Sequence, residues 1–403
     1  MLKRSIEKQI ATILLDYRKM AFISGARQVG KTTLAESIKT QFSQSAYFNW
    51  DIADDQKKLL SEPYFFEKYD RDPSKLFLLI FDEIHKYSRW KSYLKGAYDK
   101  YRKEFCFLIT GSGRLDLFKK GGESLLGRYF SVPLFPLTIG ELKQAYPTLH
   151  EFKEKLNSPE PDEAESYEAL FEFSGFPEPF LRNEKAFYNI WSAERKKLLV
   201  KEDIRDVMNI RNISLLEMLS HLIPPRVGAP LSINALREDL GVAFETIRDW
   251  VAILGQFFYL FQITPYTGSL TRTLKKETKA YLFDWAEVND ESFRFENLVA
   301  LHLYKAVEYW KATGEGKISL HFLRDKEKRE VDFILVEGSR PICLVECKNQ
   351  DVSPASNLTY FQNKLKVPVA VQLVNKKGVC RKIKQDFGEL WIISADRWLG
   401  ILP

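Results

Sequence analysis

Cysteine is scarce in this sequence, and what there is lies scattered. Four cysteines (Cys106, Cys343, Cys347 and Cys380) stand in 403 residues without a CxxC pair, and the five histidines do not gather near them. That pattern argues against a zinc ribbon and a disulfide framework and leaves reduced core thiols. No apolar run approaches the ~20 residues that a bilayer-spanning helix needs. The opening stretch, MLKRSIEKQIATILLDYRKM, mixes charge with apolar residues at helical spacing and lacks the apolar core of a secretory leader, so the chain is expected in the cytoplasm, without membrane contact. Internal repeats and low-complexity tracts are missing too. Excess charge of one sign is small: 60 Lys+Arg against 54 Asp+Glu leave a net +6. Such a balance is compatible with an anionic partner such as nucleic acid and does not establish one. What is present is ordinary for a globular protein, with 45% apolar and 28% charged residues in a chain long enough for two or three domains.

Residues 1–19 read as an amphipathic helix, followed by a short strand from Met20 to Ser24, a glycine-bearing loop and a helix from Lys31 onward. Further strands are expected at Ala46–Trp50, Leu76–Phe81, Phe105–Thr110 and Tyr129–Phe135, with helical stretches between them. Strands alternating with helices predict a parallel α/β sheet covered on both faces. The polar, proline-bearing stretch 151–165 reads as a linker or surface loop, and 166–226 as mostly helical. Two short helices around Gly241 and an aromatic strand-like run, Phe257 to Phe261, occupy 230–266. After 281 a helix containing Glu296 leads into strands near 317–323, 330–336 and 341–347, a helix near 356–365 and a strand near 367–374. The expected organisation is a parallel-sheet α/β domain over 1–150, a helical region over 151–226, a winged-helix-like segment over 227–280 and a small α/β domain over 281–403.

The segment Gly25-Ala26-Arg27-Gln28-Val29-Gly30-Lys31-Thr32 fits GxxxxGK[ST] between a strand and a helix. Glycines let the backbone curl so that its N–H groups face phosphate oxygens, and the helix amino terminus adds favourable partial charge. Gly25, Gln28, Val29, Gly30, Lys31, Thr32 and Thr33 are therefore the expected nucleotide contacts, with Lys31 on the β- and γ-phosphates and the Thr32 hydroxyl on Mg²⁺. The unbroken apolar run Leu76 to Phe81 ends in Asp82-Glu83. Two carboxylates at the tip of a buried strand are costly unless they serve a metal or a proton transfer. Asp82 would sit in the Mg²⁺ shell and Glu83 would polarise the attacking water. The next strand ends in Thr110-Gly111-Ser112-Gly113, where Ser112, or else Thr110, would sense the γ-phosphate. Arg128, just before the fifth strand, would either supply charge to a neighbouring subunit's nucleotide or serve as a surface or interface arginine.

The P-loop, the Asp-Glu strand tip, the Thr-Gly-Ser turn and GRYFSVPLFPLTIGEL together resemble AAA+-type ATPases of a widespread prokaryotic group. Ser174-Gly175-Phe176-Pro177-Glu178 is similar to that group's GGFPE signature, with Ser174 replacing the first glycine. The resemblance implies ATP and Mg²⁺ as ligands, a homo-oligomer, and a carboxy-terminal domain of unknown function.

The two helices around Gly241 have helix-turn-helix spacing, and the aromatic run after them would form the wing. The second helix offers Glu245, Arg248 and Asp249, a poor set for reading bases, so protein or interdomain packing stands beside sequence-independent DNA contact. Farther on, 330–336 and 341–348 flank the turn Glu337-Gly338-Ser339-Arg340. A hairpin centred near Ser339 places Asp332 opposite Glu346 and Glu330 opposite Lys348. Alternation then puts Asp332, Ile334, Ile342, Leu344, Glu346 and Lys348 on one side, and Val331, Phe333, Cys343, Val345 and Cys347 on the other. Asp332 and Glu346 would repel unless a divalent metal, Mg²⁺ or Mn²⁺, held them together, with Lys348 acting on bound water or phosphate. The D…ExK pattern is similar to the PD-(D/E)xK nuclease core, with Val331 where a proline often stands. Glu296 would be a further carboxylate of that core, and Gln362 a weaker addition. Two readings follow: ATP turnover coupled to a nuclease-like domain that cuts or binds nucleic acid, and an ATP-driven switch that binds DNA or protein without cleavage.

Overall fold

Apolar runs buried on both faces become the parallel strands of the amino-terminal sheet. The computed structural model describes residues 2–113, 125–156, 166–205, 212–267 and 277–403. In chain order, Glu7–Leu15 form α1, Met20–Gly25 β1, Lys31–Lys39 α2, Ser45–Asn49 β2, Ala53–Ser61 α3, Phe77–Asp82 β3, Trp90–Tyr101 α4, Phe105–Gly111 β4 and Tyr129–Leu134 β5. The five strands are all parallel, in the order β2-β3-β4-β1-β5. Along β3 the pleat sends Leu78 and Ile80 to the face covered by α1 and α2, and Leu79 and Phe81 to the aromatic-rich face covered by α4. Because β4 lies between β1 and β3, Thr110 is in register with both Ile23 and Asp82, which brings the loop after β1 and the tip of β3 to one edge.

The helical middle begins with α5 (Ile139–Leu142) and α6 (Leu149–Lys155), then α7 (Tyr167–Phe173), α8 (Pro177–Arg182) and α9 (Lys185–Leu198), which runs into a π-helical turn over Leu199–Ile204. Residues 149–155 are thus helix and not the linker expected over 151–165. Thr148 and Glu151 close a capping box that starts the helix, and 157–165 lie outside the described residues. After α10 (Ile213–Leu222) come α11 (Ile233–Leu240) and α12 (Phe244–Gln256), joined at Gly241, whose φ of 64° closes the first of the pair.

The second sheet holds β6 (Leu260–Pro265), β7 (Lys279–Leu282), β8 (Ile318–Arg324), β9 (Glu330–Glu337), β10 (Arg340–Lys348), β11 (Val369–Val374), β12 (Cys380–Lys384) and β13 (Glu389–Ser394), in the order β12-β13-β11-β10-β9-β8-β6-β7. The long helix α13 (Glu291–Ala312) and the shorter α14 (Ser356–Leu365) pack against it. The β6–β7 pair that follows α12 is joined to β8 and so to this sheet; the division at 280/281 falls inside β7. Two irregularities correct the simple alternation expected for β9 and β10. An extra residue at Ile342 sends it to the side of Cys343 and Val345, and an extra residue in β9 opposite β8 sends Val331 to the side of Ile334 and Leu344. Among the described residues no helix is long and apolar enough to cross a membrane.

Candidate functional site

The nucleotide-type site forms where β1, β3 and β4 end. Gln28 (φ 64°) and Gly30 (φ 99°) both adopt left-handed backbone, which curls the loop and starts α2 at Lys31. The loop has no slack beneath it: a Cβ on Gly25 would lie 2.6 Å from the Leu134 carbonyl oxygen of β5. Lys31 is buried, and its ammonium donates to the carbonyls of Gly25 (3.0 Å) and Ala26 (2.9 Å). Burial lowers the Lys31 pKa, and Glu83, Asp203 and Asp82 work against that shift.

Asp82 collects three hydroxyls. Thr32 Oγ1 donates to Oδ2 at 2.9 Å, Tyr47 donates to the same oxygen at 2.6 Å, and Thr110 donates to Oδ1. A carboxylate held this way keeps a fixed direction at the strand tip. Thr32 and Asp82 thereby present an all-oxygen donor pair beside the loop, which fits Mg²⁺. Thr110, one of the two sensor candidates, is therefore spent on Asp82, whereas Ser112 lies with its hydroxyl 3.5 Å from Glu83 Oε2. Glu83 itself stands at φ 54°, the left-handed turn that ends β3 and starts the following 3-10 turn. Burial pushes its carboxyl up to about 7, with Asp82 and Asp203 adding and Lys31 and Lys86 opposing. His85 Nδ1 lies 3.5 Å from Glu83 Oε2, but burial drives the imidazole down to about 3, so this contact joins a neutral ring to the carboxyl and is no ion pair at neutral pH.

Arg128 sits at the opposite end of the sheet from the P-loop, before the first residue of β5, and its guanidinium makes a two-pronged pair with Asp99 at 2.8 and 2.9 Å. It does not reach the nucleotide site of its own chain.

Two contacts that motif reading does not supply tie the loop to the rest of the molecule. Arg27 Nη1 is 2.9 Å from Asp203 Oδ1 and 3.0 Å from Glu202 Oε2, both on the π-helical turn after α9. Burial raises the Asp203 pKa, against the pull of Arg27 and Lys31. On the other flank Arg4 donates to the carbonyls of Val29 (2.9 Å) and Phe135 and lies 3.2 Å from Glu141, which is 3.1 Å from Lys305 of α13. Burial alone would raise Glu141, yet Arg4 and Lys305 bring it down to about 2. The Ser174–Glu178 segment also belongs here. Pro177 stands next to Gly30, and a Cβ on Gly175 would lie 2.3 Å from the Leu137 carbonyl oxygen and 2.7 Å from the Trp285 ring. Glycine is required at 175 by that close approach. Ser174 occupies φ 72°, a conformation in which the group's usual glycine is at ease.

At the carboxy-terminal hairpin, pairing runs to Val345 opposite Phe333, one step short of Asp332 and Glu346. Asp332 Oδ2 accepts the Cys347 N–H at 2.8 Å, and Glu346 Oε1 accepts from Lys348 at 2.7 Å. Glu296 of α13 accepts from the Tyr281 hydroxyl at 2.6 Å. Gln362 donates to the Glu389 carbonyl at 2.9 Å and takes no part in the cluster. Into the carboxylates comes Lys279, the first residue of β7. Its ammonium lies 2.5 Å from Glu330, 3.2 Å from Glu296 and 3.9 Å from Asp332. Burial and neighbouring carboxylates push the carboxyls of Glu296, Asp332 and Glu346 upward, while burial of Lys279 is outweighed by Glu296, Asp332 and Glu330, which keep its ammonium protonated. Among the described residues no group of three His, Cys, Asp or Glu side chains is disposed to hold a metal ion. The residues present do not fit the second divalent ion that the PD-(D/E)xK likeness implies.

Residues 17–143 match the AAA domain family. This part of the chain has an AAA-like P-loop fold. Residues 164–289 match a domain of unknown function, DUF8612, and 292–394 another, DUF4143. Comparison with curated proteins gives no match. Among solved structures the chain is similar to a DNA replication initiation factor (15% identity, 62% of this chain and 90% of that one, TM-score 0.29). It is also similar to C. elegans PCH-2 (13%, 61% and 65%, 0.26) and to the S. cerevisiae Hsp104–ADP complex (13%, 77% and 43%, 0.30).

Proposed function

We propose that the chain is an ATP-driven switch, in which hydrolysis in the amino-terminal domain is passed to the helical middle through the P-loop itself. The observation that carries this reading is the double engagement of the loop. Lys31 is bonded to two loop carbonyls, and the neighbouring Arg27 is fastened to Asp203 and Glu202. A triphosphate in the loop would draw Lys31 off those carbonyls and compete with Asp203 and Glu202 for Arg27. The π-helical turn would then lose the arginine that neutralises its buried Asp203.

In the chemical step Lys31 holds phosphate oxygens and Ser112 touches the γ-phosphate. Glu83 takes the proton of the attacking water. Thr32 and Asp82 would hold Mg²⁺, which when bound neutralises charge on the triphosphate. Arg128, on the far end of the sheet and paired with Asp99, would act on a neighbouring copy's nucleotide and not on its own. A mass measurement with and without ATP tests that arrangement, and a monomer under both conditions removes it.

Hydrogen exchange over 199–204, with and without ATP, tests the switch. Exchange should rise on ATP addition in the wild type and be insensitive to ATP in Arg27→Ala; an ATP response that survives in Arg27→Ala sinks the coupling. A second reading, metal-dependent cleavage of nucleic acid by Glu296, Asp332, Glu346 and Lys348, is favoured by the hairpin register and opposed by the burial of Glu296 and Glu346. Plasmid cutting with Mg²⁺ or Mn²⁺ that Glu346→Ala abolishes would reinstate it.

A further inference from the structure

Four carboxylates meet in the carboxy-terminal sheet, and one cation is built in among them. Glu330 and Asp332 come from β9, Glu346 from β10 and Glu296 from α13, while Lys279 enters from β7. Its residue is 1% exposed, so the ammonium has no water to retreat to. Its backbone is fixed as well: Lys279 pairs with Ile263 in the sheet and forms a bridge with Pro230. An isolated ammonium in such a place would carry a large desolvation penalty, which the converging carboxylates offset. We propose that the Lys279 ammonium is the permanent counter-ion of this cluster, standing where a divalent cation would otherwise be held by Glu296, Glu330 and Asp332.

Charge and chemistry both follow from that placement. A monovalent ammonium donates hydrogen bonds to Glu330 and Glu296 but offers no Lewis-acid centre and no coordinated water. The groups around it are carboxylate oxygens from β9, β10 and α13, the donor type that a hard cation prefers, here gathered about the ammonium and not about an ion. One oxygen is still unspoken for. Glu346 is 6% exposed, and its Oε2 has no hydrogen-bond partner, while Oε1 is taken by Lys348. With Lys279 in place, Coulomb repulsion keeps a second, doubly charged ion out. With the lysine shortened, the same oxygens would be left without a counter-charge, and an Mg²⁺-class ion would supply it.

The test is Mn²⁺ binding to the nucleotide-free full-length chain, read as the loss of the free-ion electron paramagnetic resonance signal. Omitting nucleotide keeps the P-loop out of the measurement, and Asp332→Asn identifies the binding as belonging to this cluster. Wild type should hold no Mn²⁺ that Asp332→Asn removes. Lys279→Ala should gain one bound Mn²⁺ per chain, lost again in the Lys279→Ala/Asp332→Asn double variant. Wild-type binding that Asp332→Asn abolishes overturns the proposal, as does a folded Lys279→Ala that gains none. Should Lys279→Ala fail to fold by far-UV circular dichroism, Lys279→Met fills the same space, and the wild-type arm decides by itself. The outcome is independent of ATP hydrolysis, so failure here and failure of the switch are separate results.

Discussion

Replacing Glu83 with glutamine should make the protein more stable and nearly inactive at the same time, and the size of the first effect follows from where the carboxyl sits. Its pKa rises from 4.5 to about 7, chiefly through burial. At about 1.4 kcal/mol per unit, the ionised form in the folded protein carries a cost of about 3 kcal/mol. The folded pKa lies above the unfolded one, so the native state holds the extra proton between those values. Stability from this group is therefore lost as pH rises through that window. Glutamine keeps the shape, the backbone conformation and the hydrogen-bonding capacity, and it has no charge to bury. Its advantage over wild type should widen by roughly 2 kcal/mol between about pH 5 and about pH 8. Urea unfolding of the two nucleotide-free proteins side by side at the two pH values measures that difference of differences, in which all other titrations cancel. Turnover of ATP in the variant should fall at least ~100-fold while binding survives. In wild type, kcat/KM should rise with pH through about 7, because the base must first lose its proton. A stability gap that does not change with pH, or a turnover that glutamine leaves intact, refutes the reasoning.

Two further outcomes follow from the loop. Lys31→Ala removes a buried charged donor that the triphosphate would use, and ATP affinity measured by calorimetry should weaken by roughly 10- to 150-fold. Arg27→Ala leaves Asp203 buried without its guanidinium and should cost about 1–3 kcal/mol in urea unfolding; adding Asp203→Asn should restore most of that loss.

The parts of this molecule that could be read from the sequence are those whose partners lie nearby in the chain or are dictated by strand geometry. Gly25 to Thr32 announces its own loop, and an apolar run closing on Asp82-Glu83 announces a buried strand with a charged tip. Parallel pairing then brings both to one edge with no further information. Tyr47 was available in principle, as a polar hydroxyl on a strand bordering β3, but nothing local says that it bonds to Asp82. Asp203 carried a fainter signal, an acid among Leu199, Val200 and Ile204 in a helical pattern, and the π-helical turn that presents it to Arg27 leaves no mark in periodicity. The hairpin at Ser339 was legible in its register near the carboxylates and illegible in its bulges, because one extra residue changes which face Ile342 and Val331 occupy without altering composition. Lys279 is the clearest case. A lysine opening the run Lys279-Ala280-Tyr281-Leu282 reads as a solvated strand end, and only the packing of β7, β9 and α13 makes it the cation of an acid cluster.

These long-range contacts share a direction. Arg27 leads from the P-loop to Asp203 and Glu202, and Arg4 leads from Val29 of the same loop through Glu141 to Lys305 of α13. Neither route ends within residues 17–143, the stretch that matches the AAA domain. The second reaches the helix that also bears Glu296, so α13 has one end in the Lys279 cluster and its middle in the Arg4–Glu141 network. Buried ion pairs of this kind contribute little net stability, and their value lies in having two discrete states, paired and broken. A loop held from both sides by such pairs can report its occupancy to either. The Arg27 side is the weaker hold, since its side chain is about one-third exposed where that of Arg4 is almost fully buried. On the switch reading, that asymmetry would put the moving contact at Asp203 and the fixed one at Glu141, with α13 on the side that holds still.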